Sequence, residues 1–163
     1  MKNSLATLQR TNTLLILFAM TVVMTLAFGV VMYLGDFHII DEMYHAPTIL
    51  SHIEAMTAQQ KSIHIWMTAT LDVAYPFIYG ALLVGITLRT FDKYTGWLIV
   101  PSVAVIPVDL LEGVVQVLLL SGNEQVAGFK TVLTPLKLTL LCIGLVICAV
   151  GLARTYIGKS KLN

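Results

Sequence analysis

The sequence predicts an all-α integral membrane protein, a bundle of four transmembrane helices with a short amphipathic helical segment in one loop. Of its 163 residues, 57% are hydrophobic and only 12% are charged. Soluble domains carry about 25% charged residues. The apolar residues form four blocks that each reach the roughly 20 residues needed to cross a hydrocarbon core. The blocks are residues 14–34, 65–88, 97–120 and 132–153, and together they predict a single domain over residues 1–163.

The first block is predicted to be a retained helix and not a cleaved secretory signal. Its apolar stretch is longer than the apolar region of a signal, and no small-x-small cleavage site follows it. The loop after it, residues 35–64, contains Pro47, where we expect the chain to break. Ser51 and Glu54 have the spacing of a capping box. Apolar residues around this box recur at helical spacing, which predicts a short amphipathic helix lying on the outer surface of the cytoplasmic membrane.

The distribution of lysine and arginine predicts that both termini face the cytoplasm. The predicted location is the bacterial cytoplasmic membrane, with the loop at residues 35–64 facing outward. The opposite, outer side has only Lys61 and Lys130. The side assigned to the cytoplasm has seven basic residues: Lys2, Arg10, Arg89, Lys93, Arg154, Lys159 and Lys161. Aromatic rings near the predicted interfaces fit this arrangement, and they belong to Trp66, Tyr94, Trp97 and Tyr156.

Helices two, three and four each carry polar side chains along one face, at spacings of three and four residues. On helix two these are His64, Thr68, Asp72, Tyr75 and Tyr79; on helix three, Asp109, Glu112 and Gln116; on helix four, Lys130, Thr134 and Lys137. Asp72, Asp109, Glu112 and Lys137 are predicted to lie about 8 to 16 Å below the outer helix ends, at a rise of about 1.5 Å per residue. Ionisable groups at such depth usually face the bundle interior or a water-filled cavity. We therefore expect a polar pocket that opens outward and is closed toward the cytoplasm.

The charges of this pocket do not balance. Asp72, Asp109 and Glu112 contribute three negative charges if ionised, and Lys137 contributes one positive charge, which leaves −2. We expect the carboxyl groups to supply acid–base chemistry or to bind a cation, with Lys137 as their counter-charge. The expected ligand-binding residues are His64, Thr68, Tyr75, Tyr79, Gln116 and Thr134. The alternative is a buried network that only locks the helices together.

Metal, cofactor and nucleic-acid binding are not predicted. His38, Asp41 or Glu42, and His45 would share one face of a helix, as zinc or iron ligands can. No second copy of this pattern and no HExxH or CxxC motif accompanies it. No glycine-rich phosphate loop is present. A net charge of +1 without a basic run argues against a nucleic-acid partner.

Three strings in helices two to four resemble a group of small uncharacterised bacterial four-helix membrane proteins. They are LDVAYPFIYG (71–80), PVDLLEG (107–113) and TPLK (134–137). The resemblance implies motifs of the form LDxxYPxxYG, DxxEN and TxLK in the three helices, with Gly113 here in place of the expected asparagine. It implies the four-helix membrane fold, but no activity.

Three functions are compatible with these features. The first is a pocket that binds or transforms a membrane-soluble or cationic small ligand, such as an isoprenoid that is isomerised by acid–base catalysis. The second is an accessory subunit of a larger membrane complex, in contact with its membrane-protein partner through helix one. The third is a proton- or cation-coupled transporter, which would need a homo-oligomer because four helices are few.

Overall fold

Helices make up nearly all of the chain that the computed structural model describes, which is residues 2–41, 43–91 and 95–160. Side chains are described for residues 5–41, 43–91 and 96–157. These ranges contain no strand. The helices are α1 (Lys2–Leu8), α2 (Thr11–Gly35), α3 (Ala46–Ala55), α4 (Ala58–Thr90), α5 (Thr95–Leu98), α6 (Val100–Leu120) and α7 (Ala127–Ser160), with a 3-10 turn at Glu124–Val126. Several residues used above lie outside the described side chains: Lys2, Glu42, Lys93, Tyr94, Lys159 and Lys161.

Four of the helical stretches are long and apolar enough to cross a membrane, as the sequence predicts. They span Thr11–Gly35, Ala58–Thr90, Gly96–Leu120 and Glu124–Ile157. Two of them extend well beyond the predicted blocks, because the α4 and α7 helices continue through polar residues at their ends. The stretch Gly96–Leu120 combines α5 and α6, which are separated only at Ile99.

The capping box lies at a different position from the predicted one. Ser51 is inside α3, where its hydroxyl donates to the carbonyl oxygen of Thr48 at 3.0 Å. The box is instead formed at the start of α4, where the Gln60 backbone N–H donates to Thr57 Oγ1 and the Thr57 N–H donates to Gln60 Oε1. Pro47 lies in the first turn of α3 and does not break the helix, because proline in the first helical turn removes no intrahelical hydrogen bond.

The segment between α2 and α4 folds over one end of the bundle, and we call residues 36–41 and 43–56 the cap. Asp36 turns the chain with a φ of 48°. Beyond it, α3 turns its apolar side toward the bundle, where Ile49 is fully buried. The apolar core under the cap contains Phe37, Ile40, Ile49, Ile53, Met56, Met67, Leu119, Leu120 and Ala127. The apolar face predicted to lie on a membrane surface therefore packs on protein.

α4 is the central helix of the bundle and packs against α2, α6 and α7. The half of the bundle away from the cap is filled by apolar side chains, among them Leu83, Val105 and Cys148, with Tyr79 at its upper edge. Gly80 lets α4 approach α6 closely, because a Cβ there would lie 2.7 Å from the Ile106 side chain. α2 packs on α4 but has no buried residue of its own.

Candidate functional site

Glu112 on α6 is the centre of a buried cluster of charged side chains under the cap. One of its carboxylate oxygens, Oε1, accepts from Lys130 Nζ at 2.7 Å and from the Thr134 hydroxyl. The other, Oε2, pairs with Lys137 Nζ. Glu112, Lys130 and Thr134 are fully buried. Residues 130, 134 and 137 meet one carboxylate because their spacing places them on one face of α7.

Lys137 connects Glu112 to two further carboxylates. Its ammonium lies 3.1 Å from Asp109 Oδ1 and 3.5 Å from Asp41 Oδ1. The second oxygen of Asp109 accepts from the Tyr79 hydroxyl at 2.7 Å. Lys137 of α7 thus links α6 to the cap, and the hydrogen bond from Tyr79 to Asp109 connects α4 to these residues.

Gln116 forms the side of the cluster nearest the cap. Its Oε1 accepts from Lys130 Nζ at 3.0 Å, and its Nε2 lies 3.0 Å from Thr68 Oγ1 and 3.2 Å from Asp41 Oδ2. The same nitrogen lies 3.1 Å from His64 Nε2. The His64 ring is buried and stacks on Phe37 with a centroid distance of 4.9 Å. The amide nitrogen, which has two N–H donors, therefore has three candidate acceptors within the protein, and the amide oxygen accepts one hydrogen bond.

Two members of the cluster were not predicted from the sequence. Lys130 belongs to the polar face of helix four, but it was counted as a charge at the outer surface, and the structure buries it completely. Asp41 comes from the cap, and no helical spacing connects it to the other residues. Burial acts to raise the pKa of the Asp41 carboxyl, but the Lys137 and Lys130 ammonium groups and the hydrogen bond from Gln116 hold its pKa below the usual range.

Asp72 is set apart from the other carboxyl groups. Lys137 was predicted to be its counter-charge, but Asp72 makes no direct ion pair or hydrogen bond with any described residue. Its side chain lines a cavity of about 350 Å³ between α4 and α6. Gly113 of α6 lies beside it, and a Cβ at that position would be 3.6 Å from Asp72 Oδ2, an ordinary contact distance. Of the four carboxyl groups, Asp72 is the one without an ion pair or hydrogen bond to a described residue.

The walls of this cavity are otherwise mostly apolar, and we call it the groove. Its lining also includes Asp109, deep in the cluster, and Thr68, whose hydroxyl accepts from Gln116. Val73, Val114 and Leu118 are partly exposed, so the groove is open between α4 and α6 at the side of the bundle. The full lining is Thr68, Ala69, Asp72, Val73, Asp109, Leu110, Gly113, Val114, Val117 and Leu118. The predicted opening was at the loop end, which the cap covers.

Tyr75 faces α2 and does not line the groove. Its hydroxyl lies 2.8 Å from Thr25 Oγ1 of α2. Its ring makes edge contacts with Phe28 and Tyr79, at centroid distances of 5.4 and 5.1 Å. Of the predicted ligand-binding residues, Tyr75 therefore joins α2 to α4, whereas the other five take part in the cluster or reach it directly.

The cluster has the same charge imbalance that the sequence indicated. Asp41 and Lys130 add one charge of each sign, so four carboxyl groups face two ammonium groups, and the sum is −2 if all are ionised. Like charges about 4 Å apart repel by about 4 kcal/mol at an effective dielectric constant of about 20. Such a site can lower its energy by taking up a proton or a cation, and Asp72 is the member that is free to do so.

The loop histidines do not form the face that a metal site would need. Residues 37–41 and 43–45 are not helical, so the helical spacing that suggested a shared face does not apply to His38, Asp41 and His45. His45 Nδ1 lies 3.3 Å from Thr48 Oγ1, and His52 Nε2 lies 3.1 Å from the His38 carbonyl oxygen. The described residues contain no group of three metal-ligating side chains.

Comparison of the chain with protein-family models, with characterised proteins and with solved structures finds no match. The resemblance drawn from the strings in helices two to four therefore stays a prediction.

Proposed function

We propose that this is an integral membrane protein whose four long helical stretches cross the bacterial cytoplasmic membrane. Their length and apolar surfaces support this, because a helix satisfies its own backbone hydrogen bonds in lipid. Large apolar side chains are exposed along α2, such as Leu15, Val23 and Leu26. Trp66, Trp97 and Tyr156 are also highly exposed, as rings at a membrane–water interface are.

The proposed orientation has both termini in the cytoplasm and the cap outside. Lys130 is buried and no longer counts as a surface charge, which strengthens the excess of basic residues on the cytoplasmic side. Reporter fusions after residue 55, in the cap, and after residue 163 are expected to report opposite sides of the membrane. A cytoplasmic signal from both fusions would contradict this topology.

We further propose that the cluster binds a small ligand with a cationic or protonatable head through Asp72. The observation that carries this proposal is the position of Asp72, a carboxyl group without a described partner that lines an otherwise mostly apolar groove. The volume of about 350 Å³ lies in the lower part of the range of about 300–1,000 Å³ for small-molecule sites. Where the ligand has a reactive bond, the neighbouring Asp72 and Asp109 would serve as its acid and base.

Replacing Asp72 by asparagine is expected to weaken ligand binding while the fold is kept. Losing one charge-assisted hydrogen bond costs about 1.5–3 kcal/mol, or about 10- to 150-fold in affinity. The probe is radiolabelled octylamine, measured on protein in lipid nanodiscs with the signal of empty nanodiscs subtracted. The thermal unfolding temperature should hold or rise, because the substitution removes one of the repelling charges.

The matched control is Asp36→Asn, at an exposed carboxyl group outside the groove. Asparagine tolerates the left-handed backbone of this position. Octylamine binding should be unchanged in this control. Equal binding by the wild type, Asp36→Asn and Asp72→Asn would refute the proposed function.

A second candidate function, an accessory subunit of a membrane complex, is favoured by one observation. α2 has no buried residue, although it is 25 residues long. Its outer surface could therefore pack on a partner helix. The transporter alternative gains no such support, because apolar packing around Leu83 and Val105 fills the half of the bundle away from the cap.

A further inference from the structure

We infer that the ligand is a single-chain amphiphile with an ammonium head, and that it reaches Asp72 from within the bilayer through the groove. This inference rests on the proposed function and adds to it the shape of the ligand and its route. The carboxyl groups of the groove determine the head of the ligand, and its apolar walls and lateral opening determine the tail and the route.

The shape of the groove fits one chain. Its α6 wall extends from Asp109 to Leu118, which is about 13 Å along the helix axis. Beyond the carboxyl groups this wall is formed by Gly113, Val114, Val117 and Leu118. Ala69 and Val73 form the facing wall on α4. A hydrocarbon tail would bury apolar surface along these side chains toward Leu118, with its head at Asp72, which lies beside Gly113.

The other approaches to Asp72 are blocked. The cap covers the loop end of the bundle with Ile40 and Ile49, both completely buried. In the opposite half, Val105 is also completely buried in apolar packing. The lip of the groove consists of Val73, Val114 and Leu118, which are 46, 57 and 39% exposed and would contact lipid tails. A ligand dissolved in the bilayer would meet this opening without crossing water.

The charge of the cluster selects the head group. Asp109 is behind Asp72 and is already held by Tyr79 and Lys137. Asp72 has no described counter-ion, and the cluster as a whole has an excess of two negative charges if ionised. An ammonium head supplies the missing positive charge together with N–H donors for the Asp72 carboxylate. A lipid with a neutral head would fill the groove but would supply no positive charge to Asp72.

The test compares competitors of labelled octylamine on protein in nanodiscs made of zwitterionic lipid. The concentration of each competitor in the membrane is determined separately, so that affinities refer to the bilayer phase. Dodecylamine is expected to compete at least 10-fold better than ethylamine, because only the longer chain fills the groove. Dodecanol, with a matched tail and a neutral head, should compete at least 10-fold less well than dodecylamine.

Val114→Trp places a large ring at the lip of the groove and is expected to weaken dodecylamine binding at least 10-fold while leaving ethylamine binding unchanged. The matched control is Val103→Trp, at an exposed valine of the same helix outside the groove. It should bind both amines as the wild type does. Circular dichroism and the unfolding temperature of both variants establish that they are folded.

Three outcomes separate this inference from the proposed function. Equal competition by ethylamine and dodecylamine, still abolished by Asp72→Asn, would overturn the lateral route and leave the proposed function in place. Equal competition by dodecanol and dodecylamine would mean that the groove holds any lipid tail, which also overturns the inference. Amine binding that is insensitive to Asp72→Asn would overturn both.

Discussion

Replacing Lys137 by methionine is expected to destabilise the folded protein by about 3–5 kcal/mol, the usual cost of removing one partner from a buried ion pair. Lys137 is the common partner of Asp41, Asp109 and Glu112. Its loss leaves Asp41 and Asp109 without an ammonium group of a described residue at ion-pair distance, since Lys130 pairs only with Glu112. The measurement is unfolding of the purified protein in detergent, followed by temperature and by denaturant.

The control for this substitution is Lys61→Met, near the start of α4. Lys61 makes no ion pair with a described residue, so its loss should change stability by less than about 0.5 kcal/mol, as most surface substitutions do. The destabilisation of Lys137→Met should shrink at low pH, where the carboxyl groups become neutral. A Lys137→Met protein as stable as Lys61→Met at neutral pH would show that the ion pairs of Lys137 do not stabilise the fold.

Local sequence patterns predicted the helices and much of the cluster. The length of the four apolar blocks depends only on neighbouring residues, and all four correspond to long apolar helices. Asp109, Glu112 and Gln116 recur every three or four residues, which places them on one side of α6 wherever that helix packs. The same rule applies to Thr134 and Lys137 on α7. In the structure, Lys137 pairs with Asp109 and Glu112, and Thr134 donates to Glu112. Gln116 is joined to Glu112 through Lys130, which donates to both.

The features that were missed depend on tertiary structure. Asp41 reaches Lys137 because the chain turns at Asp36 and buries Ile40. No periodic sequence pattern predicts this turn. Asp72 shares its polar face with Thr68, and both side chains line the groove, but only Thr68 lies within hydrogen-bond distance of Gln116. Sequence spacing gives a shared face, and packing decides which member of that face remains free.

These positions also divide the predicted acid–base residues into two kinds. Glu112 has both carboxylate oxygens engaged by ammonium groups and is fully buried, so its contacts are those of a structural charge. Asp72 has no such contacts and borders open space. We therefore expect substitutions at Glu112 to act on stability and substitutions at Asp72 to act on ligand binding, although the sequence alone placed both in one catalytic group.

The structural role of Glu112 predicts a specific pattern in a double-mutant cycle with Lys130. Glu112→Gln leaves the fully buried Lys130 ammonium without its carboxylate at 2.7 Å, and Lys130→Met removes one of the two ammonium partners of Glu112. Each single substitution is expected to cost about 3–5 kcal/mol of stability. The double variant removes both charges, so it should be more stable than the sum of the single effects predicts by about 1–3 kcal/mol.

The cycle is measured by denaturant unfolding at neutral pH, with octylamine binding recorded for every variant that remains folded. Lys130→Met and Asp36→Asn form the control cycle, which should be additive because Asp36 is exposed and makes no described contact with Lys130. Additive effects for Glu112 and Lys130 would mean that the two charges do not stabilise each other. Retained octylamine binding in the folded double variant would separate the structural pair from the ligand site, because the groove and Asp72 are left intact. Loss of binding there, with stability preserved, would instead place Glu112 in the ligand site.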